Sequence, residues 1–311
     1  VSRMSPSRFS VLALLLLSAY CWAEESKAHH FVSSVRGEGD PILIEGDIAI
    51  ENESERNADP CTSRGCLWGK WTDGKVYIPY LIANHFSSRQ KAIITRGLES
   101  FSSVSCIRFR PKRSSDRDWI SIESSRQGCW SIIGRRGGKQ LLSLSIQGGC
   151  LYHNTVQHEL LHALGFNHEQ TRSDRDNHIR VLLENVQSGQ EYNFRKIATL
   201  NQGSPYDYGS VMQYHKTVFS KNGRPTLVAW PDSSVTFGTA RQMSSSDIKR
   251  LNLLYKCCEC YHRHHLLCFA RTSSRVVFLL QRNISRQRRR CVHWGSFSYR
   301  KITCGKKKKK A

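Results

Sequence analysis

Apolar and polar positions fall into regular periods along this chain mainly between residues 57 and 257. Val76-Tyr77-Ile78-Pro79-Tyr80, Trp119-Ile120-Ser121-Ile122 and the run from Leu141 to Ile146 read as strands. Residues 88–102 carry helical spacing at Ile93, Ile94, Leu98 and Phe101. A segment rich in helix formers starts at Thr155, with Asn154 as its expected cap. Ser246-Asp247 is expected to cap a last helix that turns Ile248, Leu251, Leu254 and Tyr255 inward. Strands and helices first, then irregular chain, predict an α+β fold. There is no internal repeat.

The ends read differently. Arg8 precedes an apolar run, Phe9 to Ala19, too short to cross a bilayer, and Cys21-Trp22-Ala23 follows. This predicts a secretory signal peptide over residues 1–23, cut after Ala23, with Met4 rather than Val1 as the true start. Residues 24–56 are acidic with little periodic apolar pattern and read as a pro-segment. Residues 57–257 form the patterned domain, and 258–311 form a basic, cysteine-bearing, unpatterned tail. No later stretch is apolar enough to span a membrane, so the product is expected to be secreted, through zymogen granules.

Charge changes the picture only in part. The 311 residues carry a formal net charge of +22. Much of it sits beyond residue 257, where Glu259 is the single acid. The remaining domain is still basic and would favour polyanionic surroundings such as glycan-rich matrices. Nucleic acid as a partner is disfavoured by the export signal and by cysteine usage that suits an oxidising compartment.

The candidate chemistry lies at His158-Glu159-Leu160-Leu161-His162-Ala163-Leu164-Gly165-Phe166-Asn167-His168. On a helix, His158 and His162 project from one face about one turn apart, so two imidazoles can grip one ion. Glu159, beside the first ligand, can reach a metal-bound water. Gly165 can take backbone angles barred to other residues, ending the helix and bringing His168 round as a third ligand. Three histidines leave a coordination position open, as a catalytic zinc site requires. This spacing is the metzincin signature. Ser210-Val211-Met212-Gln213-Tyr214 supplies the matching methionine turn, and Met212 is one of only three methionines in the chain.

Together with Glu169, these motifs resemble the astacin family, and the resemblance runs almost continuously over residues 57–257. It extends to Gly128-Cys129-Trp130-Ser131, Arg172-Ser173-Asp174-Arg175-Asp176 and Pro205-Tyr206-Asp207-Tyr208. It implies two subdomains flanking a zinc cleft, with a twisted mixed sheet and an active-site helix. It implies one Zn2+ per chain, held by His158, His162 and His168. Glu159 is implied as general base and Tyr214 as an extra ligand that swings to the oxyanion. Many astacins have His where this chain has Gln213. Six cysteines fall in the domain, and residue spacing alone leaves their pairing open. The resemblance implies Cys106–Cys257, Cys129–Cys150 and Cys61–Cys66, the last typical of the six-cysteine astacins of fishes, which include hatching enzymes.

Ile44-Glu45-Gly46-Asp47-Ile48 resembles the family's latency motif, with Ile where Phe is usual. It implies that Asp47 occupies the open zinc position in an inactive precursor. A trypsin-like protease is expected to cut after Arg56, and the new terminus at Asn57 to pair with Glu169. A buried ammonium needs such a partner. Internal peptide-bond hydrolysis is the implied reaction, by a monomer, with egg-envelope glycoproteins as the implied substrate. The alternatives are another extracellular substrate, or an inactive homologue that binds glycan or matrix. Asn52-Glu53-Ser54 and Asn283-Ile284-Ser285 are glycosylation patterns. The tail, ending in Lys306 to Lys310, reads as translation past the natural end. A genuine polyanion-binding extension is the alternative.

Overall fold

A computed structural model of the chain describes residues 41–50, 65–257, 291–295 and 298–302, the last two stretches as backbone only. The expected signal peptide, the cut between Arg56 and Asn57, Cys61 and both glycosylation patterns lie outside the described residues. The chain divides into two compact units, Val1–Cys258 and Glu259–Ala311.

In the first unit, strand β3 (Val76–Ile82) leads into helix α1 (Ser88–Val104) and returns through β4 (Ile107–Pro111), parallel to β3. Ser87 caps α1 with a full capping box, its hydroxyl accepting from the Gln90 N–H and the Gln90 side chain reaching back. Strand β5 (Trp119–Glu123) lies parallel to β3, and β7 (Lys139–Leu144) parallel to β5. Strand β6 (Cys129–Ser131) runs antiparallel to β7.

The apolar side chains of these strands, among them Ile78, Ile120, Ile122, Leu142 and Leu144, are fully buried. They share one core with Ile94, Leu98 and Phe101 of α1 and with Val156, Leu160 and Leu161 of helix α2 (His153–Ala163). The two helices approach so closely at Gly97 that a Cβ there would lie 2.3 Å from Val156 Cγ1.

The sheet does not end at β6. Ile42–Ile44 (β1) and Ile48–Ile50 (β2) form an antiparallel hairpin, and β2 pairs in parallel with β6 at Ile48 and Ser131. The Ser131 N–H donates to the Asp47 carbonyl at 2.9 Å. The seven-stranded order is β1-β2-β6-β7-β5-β3-β4. Little periodic apolar pattern is expected of the pro-segment. Two three-residue strands are too short to register as a period, and β2 is specified by the edge it joins.

Beyond α2 the chain is irregular. Short 3₁₀ turns and a two-stranded sheet of β8 (Ile179–Val181) and β9 (Leu227–Ala229) surround a smaller core of Ile179, Phe194, Tyr206, Tyr214, Leu227 and Phe237. Helix α3 (Ser245–Leu254) closes the unit. Its cap is Ser244, ahead of the expected start, with Asp247 completing the capping box. Helix α2 likewise starts at His153 with Tyr152 in the cap position and no side-chain cap bond, while Asn154 donates instead to the Ala240 carbonyl at 3.1 Å.

Cys106–Cys257 and Cys129–Cys150 are bridged, with Cα separations of 5.3 and 5.6 Å. Cys66 is also disulfide-bonded. In the second unit, where no pattern was expected, β10 (Cys291–Gly295) and β11 (Ser298–Ile302) pair antiparallel. Among the described residues no helix is long and apolar enough to cross a membrane.

Candidate metal centre

Helix α2 ends in a Schellman motif. The Phe166 N–H donates to the Leu161 carbonyl and the Gly165 N–H to that of His162, with Gly165 at φ 100°. The carbonyls of Ala163 and Leu164 are taken by Trp68 Nε1 and the Tyr255 hydroxyl. The reversal brings His168 against the two helical histidines. The three Nε2 atoms lie 3.1, 3.2 and 3.3 Å apart.

Each Nδ1 has an acceptor. His158 donates to the Val211 carbonyl at 2.8 Å and His162 to that of Phe166 at 2.7 Å. His168 donates to Glu45 Oε2 at 2.6 Å. Protons on Nδ1 leave three Nε2 lone pairs converging on one point, which neutral groups do not tolerate without a cation. Ligands at about 2.0–2.1 Å in a tetrahedron would sit about 3.3 Å from one another, as these do. The donor set therefore fits zinc.

Asp47 closes the group. Its Oδ2 lies 3.1 Å from Nε2 of both His158 and His168, and its Oδ1 accepts from the Tyr214 hydroxyl at 3.0 Å. Asp47 and the three histidines are the metal-binding group found among the described residues. The tip that delivers Asp47 is tight: Glu45 and Gly46 both take positive φ, 51° and 85°.

Glu159 follows His158 on α2 and is buried. Burial, then the Asp47 carboxylate, push its carboxyl well above the usual range. Its Oε2 has no protein partner, and it lines the same cleft as Asp47, His158 and Tyr214. Met212 is buried with the larger core. Its turn is pinned by Asp247 of α3, which accepts from the Ser210 hydroxyl and the Val211 N–H. That pin fixes the Val211 carbonyl under His158. The Tyr214 ring packs on His168 with centroids 4.1 Å apart. Gln213 is buried, accepting from the Tyr206 hydroxyl and donating to the Tyr214 carbonyl.

Glu169 stands apart from the metal group. It is buried, accepts from the Asp207 N–H at 2.7 Å and pairs with Arg172 and Arg250. A cavity of about 70 Å³ adjoins it, lined also by Phe166, Asn167 and Leu254. Its expected partner, Asn57, lies outside the described residues.

Sequence reasoning missed Glu45, Arg172, Arg250 and Asp247 as members of these networks. Two carboxylates flanking Gly46 were the only local signal for Glu45. Arg250 and Asp247 act across tens of residues, and Arg172 joins its near neighbours Glu169 and Asp174 to the carbonyls of Ser204 and Pro205 only after folding.

Comparison with known proteins agrees with this geometry. Residues 65–256 match the family model described as Astacin, a peptidase family. The chain is 44% identical over 219 residues to high choriolytic enzyme 1 of Oryzias latipes, covering 70% of this chain and 79% of that protein. It is 42% identical over 217 residues to the low choriolytic enzyme of the same fish, covering 69% and 78%. The solved structure of high choriolytic enzyme 1, a hatching enzyme zinc-protease from medaka, superposes with a TM-score of 0.61, covering 63% of this chain and 98% of that one. Three imidazole lone pairs aimed at one point, on a chain that matches this family over nearly all of its patterned domain, make it a member of the astacin family of zinc metalloendopeptidases.

Proposed function

We propose that this is the latent form of a secreted endopeptidase that digests egg-envelope proteins. The observation that carries latency is the Asp47 carboxylate, held between two of the three zinc histidines and the Tyr214 hydroxyl. While it sits there, neither water nor a scissile carbonyl can reach the open position. The hairpin also pairs with β6, the strand that would become the sheet's edge on its release and along which an extended peptide would lie.

On this reading a trypsin-like cut after Arg56 releases residues 24–56. The new ammonium at Asn57 enters the cavity beside Glu169, where a carboxylate is already buried to receive it. His158, His162 and His168 hold Zn2+, which when bound supplies a Lewis acid for the scissile carbonyl and makes water nucleophilic near neutral pH. Glu159, which lines the cleft, takes the proton from the attacking water and returns it to the leaving amine. Tyr214, freed from Asp47, donates its hydroxyl to the developing oxyanion, a contact worth about 3–4 kcal/mol.

Glu159→Gln should keep zinc and lose casein hydrolysis by orders of magnitude; near-normal turnover would remove the base assignment. A chelator should abolish activity of the trimmed enzyme. Relatedness to two choriolytic enzymes supports the egg-envelope substrate. Intact and pre-swollen envelope incubated with trimmed enzyme test it, and no digestion of either would favour a different extracellular substrate.

A further inference from the structure

The three histidines are not oriented by the same part of the molecule. His158 and His162 lean on backbone carbonyls of the domain itself, Val211 in the pinned turn and Phe166 in the helix-ending turn. Among the described residues, the acceptor for His168 Nδ1 is Glu45, 123 residues earlier and on the hairpin tip. His168 also sits on the least regular element of the three, at the start of a three-residue 3₁₀ turn.

Glu45 is held for this contact. Its backbone N–H donates to Asn193 Oδ1 at 2.7 Å, and the Asn193 amide is itself tied to Gln190. The side chain is 7% exposed. Its φ of 51° is a conformation that glycine or asparagine would take more easily.

We propose that Glu45 is a positioning residue for zinc: it orients His168, so that the hairpin retains the metal as well as blocking it. Activation then removes an orienting carboxylate from one of the three ligands. The trimmed enzyme holds zinc through two backbone-supported imidazoles and one that relies on solvent for its Nδ1 partner. The inference rests on the reading that residues 41–50 leave on activation and that the three histidines hold zinc.

The test is competition for Zn2+ between a chromophoric chelator and the full precursor, as wild type, E45A, E45Q, D47N and D47N/E45A. Removing such an outer partner typically weakens metal binding about 10–100-fold. E45A should fall in that range, and E45Q, which keeps an acceptor, should fall between it and wild type. D47N/E45A should be weaker than D47N by a similar factor, separating the effect from the Asp47 contact. After trimming, E45A and wild-type products are the same polypeptide and should bind zinc alike. Wild-type zinc affinity in E45A with a native circular dichroism spectrum would overturn the proposal. Should E45A fail to fold, wild-type affinity in E45Q and in N193A, which frees the Glu45 backbone, would do so. Failure of the latency reading shows separately, as a D47N precursor no more active than wild type.

Discussion

Between Val76 and Leu164 the chain buries mainly isoleucine, leucine, valine and phenylalanine; between Glu169 and Met243 it buries arginine and asparagine as well. In the first region regular strands and helices satisfy the backbone, so the interior can be apolar. In the second, few regular elements exist, and side chains take over that work. The Arg172 guanidinium spans Glu169, both oxygens of Asp174 and the carbonyls of Ser204 and Pro205. Arg175 bridges the carbonyls of Gln170 and Phe194, and Asn185 holds that of Pro225. Arginine suits this role because its donors form a fixed planar fork. The metal cluster sits where the two regions meet, with His158 and His162 from one and Tyr214 from the other.

The contrast can be broken from either side. The largest effect is expected from Arg172→Met. It strips Glu169 of one cation, leaves two carbonyls without their donor, and should cost about 3–5 kcal/mol in denaturant unfolding of the precursor. A loss below about 1 kcal/mol would mean that the apolar cluster around Phe194 and Tyr206 holds this region unaided.

In the first region the vulnerable feature is steric. Gly97→Ala would set a methyl 2.3 Å from Val156 Cγ1 and should cost about 1–3 kcal/mol, less a small gain in helix propensity. Gly97→Ala combined with Val156→Ala should recover part of that loss. Strict additivity of the two substitutions would show that α1 and α2 do not meet as tightly as described.

The smallest effect sharpens the contrast, because it concerns an arginine of similar geometry in the first region. Arg110 binds Asp116 through two bonds of 2.7 and 2.6 Å, but at the sheet margin rather than in the interior. The Arg110 guanidinium, helped by the Arg113 N–H, holds the Asp116 carboxyl well below the usual carboxylate range. A depressed folded value stabilises the protein above the unfolded pKa of about 3.9 and is lost as pH falls through the folded value. Asp116→Asn should therefore cost about 0.2–1 kcal/mol at neutral pH. Wild-type and variant unfolding curves should converge in strong acid. A difference that persisted there would assign the effect to packing instead of charge.

The same contrast explains what could be read in advance. The H-E-x-x-H spacing is legible because a helix converts a four-residue interval into one face, and Gly165 marks the turn that follows. Strands β3, β5 and β7 and helix α1 are legible because burial on one face imposes a period. The cap of α2 was misplaced because the helix start at His153 uses no side-chain cap, and the Asn154 amide answers to a carbonyl 86 residues away. Asp47 could be anticipated from a short motif resembling the family's. Glu45, two residues away, could not, because its meaning is set by His168 and Asn193.

Sequence alone determined the histidine ligand set, through intervals of a few residues, and the fold class, through the periods of its strands and helices. It also pointed to Glu159 and Asp47, whose proposed roles as base and blocking carboxylate rest on the same short intervals. Tertiary structure alone decided which atom supports each imidazole, how the hairpin extends the sheet, and that Glu169 is shared by Arg172 and Arg250. Most of those pairings join distant parts of the chain: Glu45 with His168, Val211 with His158, Ile48 with Ser131 and Arg250 with Glu169. Their energies come from burial and from partners that exist only after folding, so no local interval encodes them.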